Sequence, residues 1–340
     1  MNGDTAELHY FDLGPFALDS GYTLPNARLA YRTRGTLNAA KDNAVLFPHM
    51  YSGTSESLAG LIGEGRALDP SQYFIILPDQ FGNGLSSSPS NTPVPFDRGQ
   101  FPAVSFGDDV RAQHRLVTER FGIESLHTVV GWSMGGQQTY EWAVRHPEMV
   151  RRAAVFSASA RTSTHSKLFV DLHTELLRSD PAFADGFYAD PADVHLGLAR
   201  HAMAFTLLST TPRFFREEIW RAFGFASAED YGQGFVRGYY QAMDPNNLLC
   251  QAAKWRAGDV SPHAGGDLAA ALRRITAKFF VIAFSGDQLA PFEELEADVA
   301  RIPGAQLREI DSPMGHFAMY GLLPDDGAAI DEALAEVLKS

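Results

Sequence analysis

Runs of consecutive apolar residues alternate with segments of helical spacing through the first 160 positions of the chain. NAVLFPH (Asn43–His49), YFIILPD (Tyr73–Asp79) and HTVVGW (His127–Trp132) are nearly free of polar breaks. Runs of that length and character predict strands buried on both faces, as in a parallel sheet. ARLAYRTRG (Ala27–Gly35) instead alternates and predicts a strand with one wetter face. Phe106–Gly122 sets Val110, Leu116, Val117 and Phe121 on one side of a helix. GGQQTYEWAVRHP predicts a second helix that must stop before Pro147, and Val150–Ser159 another strand. Strand–helix–strand alternation of this kind predicts an α/β fold, a mostly parallel, doubly wound sheet with helices on both sides.

Beyond Ser159 the pattern changes. From Arg161 to Arg273 strand-like runs vanish and aromatic-rich helical segments replace them, among them HLGLARHAMAFTLLS and TPRFFREEIWRAFGF. KFFVIAFSGD (Lys278–Asp287) then returns as a buried strand. FEELEADVARIPG follows as a helix, AQLREID as a more exposed strand, and PDDGAAIDEALAEVLK as a helix capped by its acidic start. The predicted organisation is one core domain, residues 1–160 and 274–340, interrupted by a helical cap at 161–273. No internal repeat or low-complexity tract is visible.

Charge removes some classes of partner. With 28 Lys+Arg against 41 Asp+Glu the formal net charge is -13, which argues against nucleic acid and against an anionic membrane surface. No run approaches the ~20 apolar residues of a membrane span. The stretch MNGDTAELHYFDLGPF lacks the apolar segment of a signal peptide, so a cytoplasmic protein is expected. The single cysteine, Cys250, permits no intramolecular disulfide, and its apolar context (NNLLCQAA) predicts a buried packing role. No spaced His/Asp/Glu cluster suggests a metal, and no cofactor is expected.

Candidate chemistry centres on GWSMGG. The pattern Gly131-x-Ser133-x-Gly135 follows a buried-strand run and opens a helical one, the strand–turn–helix setting in which a strained serine is exposed as a nucleophile. Gly131 and Gly135 remove side chains that would clash there, and Gly136 allows close helix–strand packing. Such a serine needs a base and an orienting acid from the ends of later strands, in the order Ser, Asp or Glu, His. Asp287 closes the strand VIAFSGD, and His316 sits in a Gly-containing turn after LREID. The predicted catalytic residues are therefore Ser133, Asp287 and His316. An oxyanion hole would use the backbone N–H of Met134 and one from FPHMYSGTS, with Tyr51 preferred and Met50 the alternative. His49 is read as orienting that loop. His114, His146, His165, His195 and His201 are read as structural or surface residues without a carboxylate partner.

These residues together resemble the α/β-hydrolase fold, and within it the homoserine O-acetyltransferase-like branch. DDVRAQHRLVTERFGIESLHTVVGWSMGGQQTYEWAVRHPEMV is similar to that branch throughout, HMYSGT sits where its oxyanion loop lies, and MDPNNLL resembles one of its cap segments. The resemblance covers most of the chain and implies a helical cap over the site and a homodimer formed through that cap. Three departures bear on substrate. Those transferases follow the histidine with an aspartate that receives the substrate ammonium, where this chain has Phe317. Trp132 replaces a glycine, and the loop PDQFGNGLSSSPSN differs. An apolar ring cannot pair a buried ammonium. Some members of the branch hydrolyse small acetate esters, so the expected activity is hydrolysis of a small neutral, mainly acetyl, ester through an acyl-enzyme. Met50, Trp132 and Phe317 are the expected pocket residues. The alternative is an O-acetyltransferase acting on homoserine or another small alcohol. A non-catalytic binding protein would not need all three of Ser133, Asp287 and His316.

Overall fold

The computed structural model describes residues 6–340. The first five residues of the stretch read for a signal peptide lie outside that range. Eight strands form one sheet in the order β1-β2-β4-β3-β5-β6-β7-β8. They are β1 (His9–Ala17), β2 (Thr23–Arg34), β3 (Ala44–Leu46), β4 (Phe74–Pro78), β5 (Thr128–Trp132), β6 (Arg152–Phe156), β7 (Lys278–Phe284) and β8 (Gln306–Ile310). From β4 to β8 neighbouring strands are parallel; β1–β2 and β2–β4 are antiparallel. β1 is a strand that the pattern of apolar positions does not predict. Its sequence HYFDLGPFA contains Gly14 and Pro15, and its ladder with β2 shifts register on both sides of Gly14, so local pattern alone gives a weak strand signal.

Period two explains the layering. Val45, Ile75, Val130, Phe280 and Ile282 point to one face, while Ala44, Leu46, Ile76, Val129, Phe279 and Val281 point to the other, and all are buried. The second face is covered by α1 (Phe106–Arg115) and α2 (Met134–Arg145), which contribute Val110, Ala112, Tyr140 and Trp142. α1 begins with a capping box between Ser105 and Asp108. The helix expected as far as Gly122 loosens after Arg115 into a π-type turn, Leu116–Arg120, that still buries Leu116 and Val117. The last helix, Pro324–Lys339, carries Asp325 and Asp326 in its first turn as expected, but no side chain hydrogen-bonds as its cap, and Asp326 accepts from Ser312 Oγ at 2.9 Å.

Between β6 and β7 the described residues form helices and no strand. α3 (Thr164–Arg178) and α4 (His195–Ser209) pack on each other, and the helix Pro245–Ala257 returns toward the sheet. Phe169, Leu198, Phe205 and Tyr240 belong to the same apolar cluster as Val130 and Ile282. The helix Pro245–Ala257 is also tied to the core by a fully buried ion pair. Lys254 Nζ lies 2.5 Å from Asp109 Oδ2 and donates to the Phe81 carbonyl at 2.9 Å. Cys250, on the same helix, is partly exposed rather than buried, at the edge of the other cluster. No helix among the described residues is long and apolar enough to cross a membrane.

Candidate active site

Ser133 caps α2 with φ 56° and ψ -122°, a backbone region that a non-glycine residue occupies only under constraint. The constraint is visible in its neighbours. A Cβ on Gly131 would stand 2.0 Å from the Gly135 carbonyl oxygen, and one on Gly135 would stand 2.2 Å from that of Pro48. One on Gly136 would come within 2.7 Å of the Ala158 methyl. The three glycines thus let β5, α2, β6 and the Pro48–Tyr51 loop converge on one tight turn. Ser133 N–H donates to Phe156 O at 2.9 Å, which fixes the turn on β6.

Asp287 and His316 arrive from the ends of β7 and β8. Asp287 Oδ1 accepts the N–H groups of Leu289 (2.8 Å) and Ala290 (3.2 Å), leaving Oδ2 to His316 Nδ1 at 2.8 Å. His316 Nε2 lies 2.9 Å from Ser133 Oγ. All three residues are buried. The turn carrying His316 is held from both sides: Ser312 Oγ takes the Met314 N–H at 3.0 Å, and Thr211 donates to the Pro313 carbonyl at 2.7 Å. A carboxylate that accepts from Nδ1–H leaves Nε2 free to accept the serine proton, so this geometry can raise the nucleophilicity of Ser133 toward a carbonyl carbon.

The loop Pro48–Ser52 faces Ser133. Among the described residues no protein acceptor takes the N–H of Met50, Tyr51 or Met134. His49 is hydrogen-bonded within this loop. It is fully buried, its Nδ1 bonds Met50 O at 2.8 Å, and its Nε2 receives the Gln80 N–H at 3.1 Å. Those partners require the proton on Nδ1, and burial pushes the imidazole down to about 3, so it stays neutral. Two residues missed in the sequence hold the other end of the loop. Gln251 Oε1 accepts from Ser52 N–H at 3.1 Å, and Tyr239 OH donates to Ser52 O at 2.9 Å. Gln251 lies within the apolar-looking NNLLCQAA, and nothing in that stretch marks a polar contact 199 positions away.

Ser133 and His316 open on a cavity of about 200 Å³. Met50, Trp132 and Phe317 line it, together with Phe205, Tyr239 and Tyr240 from the helical segment. Trp132 sits with its ring centre 5.4 Å from His316 and edge-on to Tyr320 at 4.9 Å, and Phe317 stacks on Phe205 at 6.0 Å. The lining contains no Asp, Glu, Lys or Arg. Of the remaining histidines, His114 and His146 stack at 4.4 Å on the core surface, and His146 reaches Glu148 at 4.0 Å, a carboxylate neighbour not anticipated. His201 is buried against His173, Nδ1 to Nδ1 at 2.9 Å.

A sheet of this topology with a strained serine between a strand and a helix is the arrangement of the α/β hydrolases, and the chain belongs to that family: the model for the alpha/beta hydrolase fold matches residues 43–321. Within it, the chain is 48% identical over 330 residues to the ethyl acetate hydrolase of Pseudomonas veronii, covering 97% of this chain and 95% of that one. The structure of the acetyl esterase MekB superposes with a TM-score of 0.97 at 47% identity, covering 98% and 97% of the two chains. Homoserine O-acetyltransferases are more distant; that of Thermobifida fusca (strain YX) is 33% identical over 350 residues, covering 95% and 92%.

Proposed function

We propose that this chain is a carboxylesterase that hydrolyses small, neutral acetyl esters. Ser133 Oγ attacks the ester carbonyl carbon as its proton passes to His316 Nε2, while Asp287 holds the imidazole in the Nδ1–H tautomer. The oxyanion rests on the N–H groups of Met134 and Tyr51. His316 returns the proton to the departing alcohol, and water then attacks the acyl-enzyme with His316 again as base, releasing the acid. The observation that carries this reading is His316 spanning Asp287 and Ser133 at 2.8 and 2.9 Å on the wall of an uncharged cavity. The close relatives support it: they are an ethyl acetate hydrolase and an acetyl esterase. An amino-acid acceptor such as homoserine would leave its ammonium unpaired against Phe317, which costs several kcal/mol.

In this reading residues 161–273 act as a cap that supplies the aromatic wall, and two chains pair through it. Leu168 and Leu172 on α3 and Leu196, Met203 and Leu207 on α4 are exposed apolar side chains on neighbouring helices, a face suited to a second copy. Acetate release from ethyl acetate and from acetyl-CoA, the latter with and without homoserine, tests the activity. Wild type should hydrolyse the ester, Ser133→Ala should not, and homoserine should have no effect. Homoserine-dependent consumption of acetyl-CoA with poor ester turnover would refute the reading. Light scattering of wild type and Leu172→Glu tests the pairing.

A further inference from the structure

A second, much smaller void meets Ser133 and His316 and shares no other lining residue with the aromatic cavity. Its volume is about 10 Å³, which is room for one water molecule. Its walls are of a different chemistry, with Gln137, Ser157, Ser159 and Ser166 among them. Two of these side chains have an unmet need. Gln137 is 6% exposed and Ser157 2% exposed, and neither Gln137 Oε1 nor Ser157 Oγ has a hydrogen-bond partner among the described residues. The amide orientation of Gln137 is fixed by its neighbours. Thr162 Oγ1 donates to the Trp255 carbonyl, so it must accept from Gln137 Nε2, at 2.9 Å, which leaves Oε1 as the free end. Buried polar atoms of this kind are normally satisfied, and a water with two to four polar neighbours is the usual means.

Gln137 also lines a larger hollow of about 420 Å³, walled in part by Glu141 and Arg145, that reaches the surface at Asp19 and Pro262. Its side chain therefore borders both spaces, and the hollow shares no lining residue with the aromatic cavity.

We propose that the small void positions the water that resolves the acyl-enzyme, with Gln137 Oε1 and Ser157 Oγ as its positioning groups and the Gln137 side as its entry. This rests on the acyl-enzyme reading above. The water oxygen bonds to the acyl carbon while its proton passes to His316 Nε2. The bond from that carbon to Ser133 Oγ then breaks, and His316 returns the proton to the serine oxygen. A port for water separate from the aromatic cavity lets hydrolysis proceed without water crossing the space used by the alcohol. It thereby biases the acyl-enzyme toward water over an alcohol acceptor.

The test is the partition of one acyl-enzyme between two acceptors. Ethyl acetate is supplied in water containing 1-propanol, and the ratio of propyl acetate to acetic acid is measured for wild type, Gln137→Leu and Ser157→Ala. The ratio does not depend on how much of the enzyme is folded, so a lower yield of folded protein leaves it unmoved. The expected result is a rise of about tenfold in the ratio in either variant, the effect of losing one hydrogen bond to the attacking water. Gln137→Leu also loses the bond to Thr162, and Ser157→Ala supplies the milder control. An unchanged ratio in both variants overturns the proposal. So does a change in preference between acetyl and butanoyl esters at constant ratio, which would make the void part of the acyl pocket. Retained activity in Ser133→Ala would instead overturn the acyl-enzyme reading beneath it.

Discussion

Replacing Asp287 with asparagine isolates the tautomer argument. The carboxylate is anchored through Oδ1 by the Leu289 and Ala290 N–H groups, at 2.8 and 3.2 Å, and only Oδ2 faces His316. An asparagine of the same shape must turn its carbonyl oxygen to those two donors. The reverse orientation would set an NH₂ against two N–H groups and leave both without an acceptor, at about 1–3 kcal/mol each. The side-chain NH₂ therefore faces His316 Nδ1, which must now accept, and the ring proton moves to Nε2. That proton points at Ser133 Oγ, 2.9 Å away, and the base is lost. Kcat for a neutral acetate ester should fall about 10⁴-fold, close to 5.5 kcal/mol of barrier. Folding stability should change by only about 1 kcal/mol, because the shape and both backbone bonds persist. Steady-state turnover at pH 8, with urea denaturation of the same preparations, measures both quantities. Turnover above about a tenth of wild type, with the fold intact, would refute the role given to Asp287.

Three further outcomes are expected. Gly135→Ala places a methyl 2.2 Å from Pro48 O, so the Pro48–Tyr51 loop must move. Esterase activity should fall at least ~100-fold, and stability by about 1–3 kcal/mol in urea titration. Phe317→Asp puts a carboxylate into an uncharged cavity and removes the ring stacked on Phe205. Turnover of neutral acetate esters should drop at least ~10-fold, and an unchanged kcat/KM would show that this wall does not contact substrate. His201 is fully buried and pushed down to about 3 by that burial, below the unfolded value near 6.5. With its native affinity for protons depressed, its neutral form contributes stability above pH ~6.5, and that contribution is lost as pH falls toward ~3. The stability difference between wild type and His201→Gln, from urea titrations at pH 7 and pH 5, should therefore move against wild type on acidification by up to about 1.4 kcal/mol per pH unit.

Part of this fold is set by local pattern and part by contacts between distant residues. Asn43–His49 and Tyr73–Asp79 are legible as buried strands because parallel sheet interiors admit few polar side chains, and both lie in the middle of the sheet. β1 is not legible locally because its register shifts around Gly14 are meaningful only beside β2. The acidic start of the last helix is legible and lies in its first turn, but the hydrogen bond of Asp326 goes to Ser312, a partner supplied by the loop that carries His316.

By itself the sequence determined the alternation of strands and helices, the tight turn around Ser133, and the order in which Asp287 and His316 follow it. Those features depend on side-chain period, on the absence of Cβ atoms at Gly131 and Gly135, and on residues lying at strand ends, all of which are local properties. Only the tertiary structure decided which nitrogen of His49 carries the proton, that Gln251 and Tyr239 clamp the loop at Ser52, and that Ser133 faces an aromatic cavity on one side and a small polar void on another. Each of these is set by groups brought together from distant parts of the chain. Hydrogen bonding and burial act on the distance between atoms, and the spacing of residues along the sequence carries little record of it.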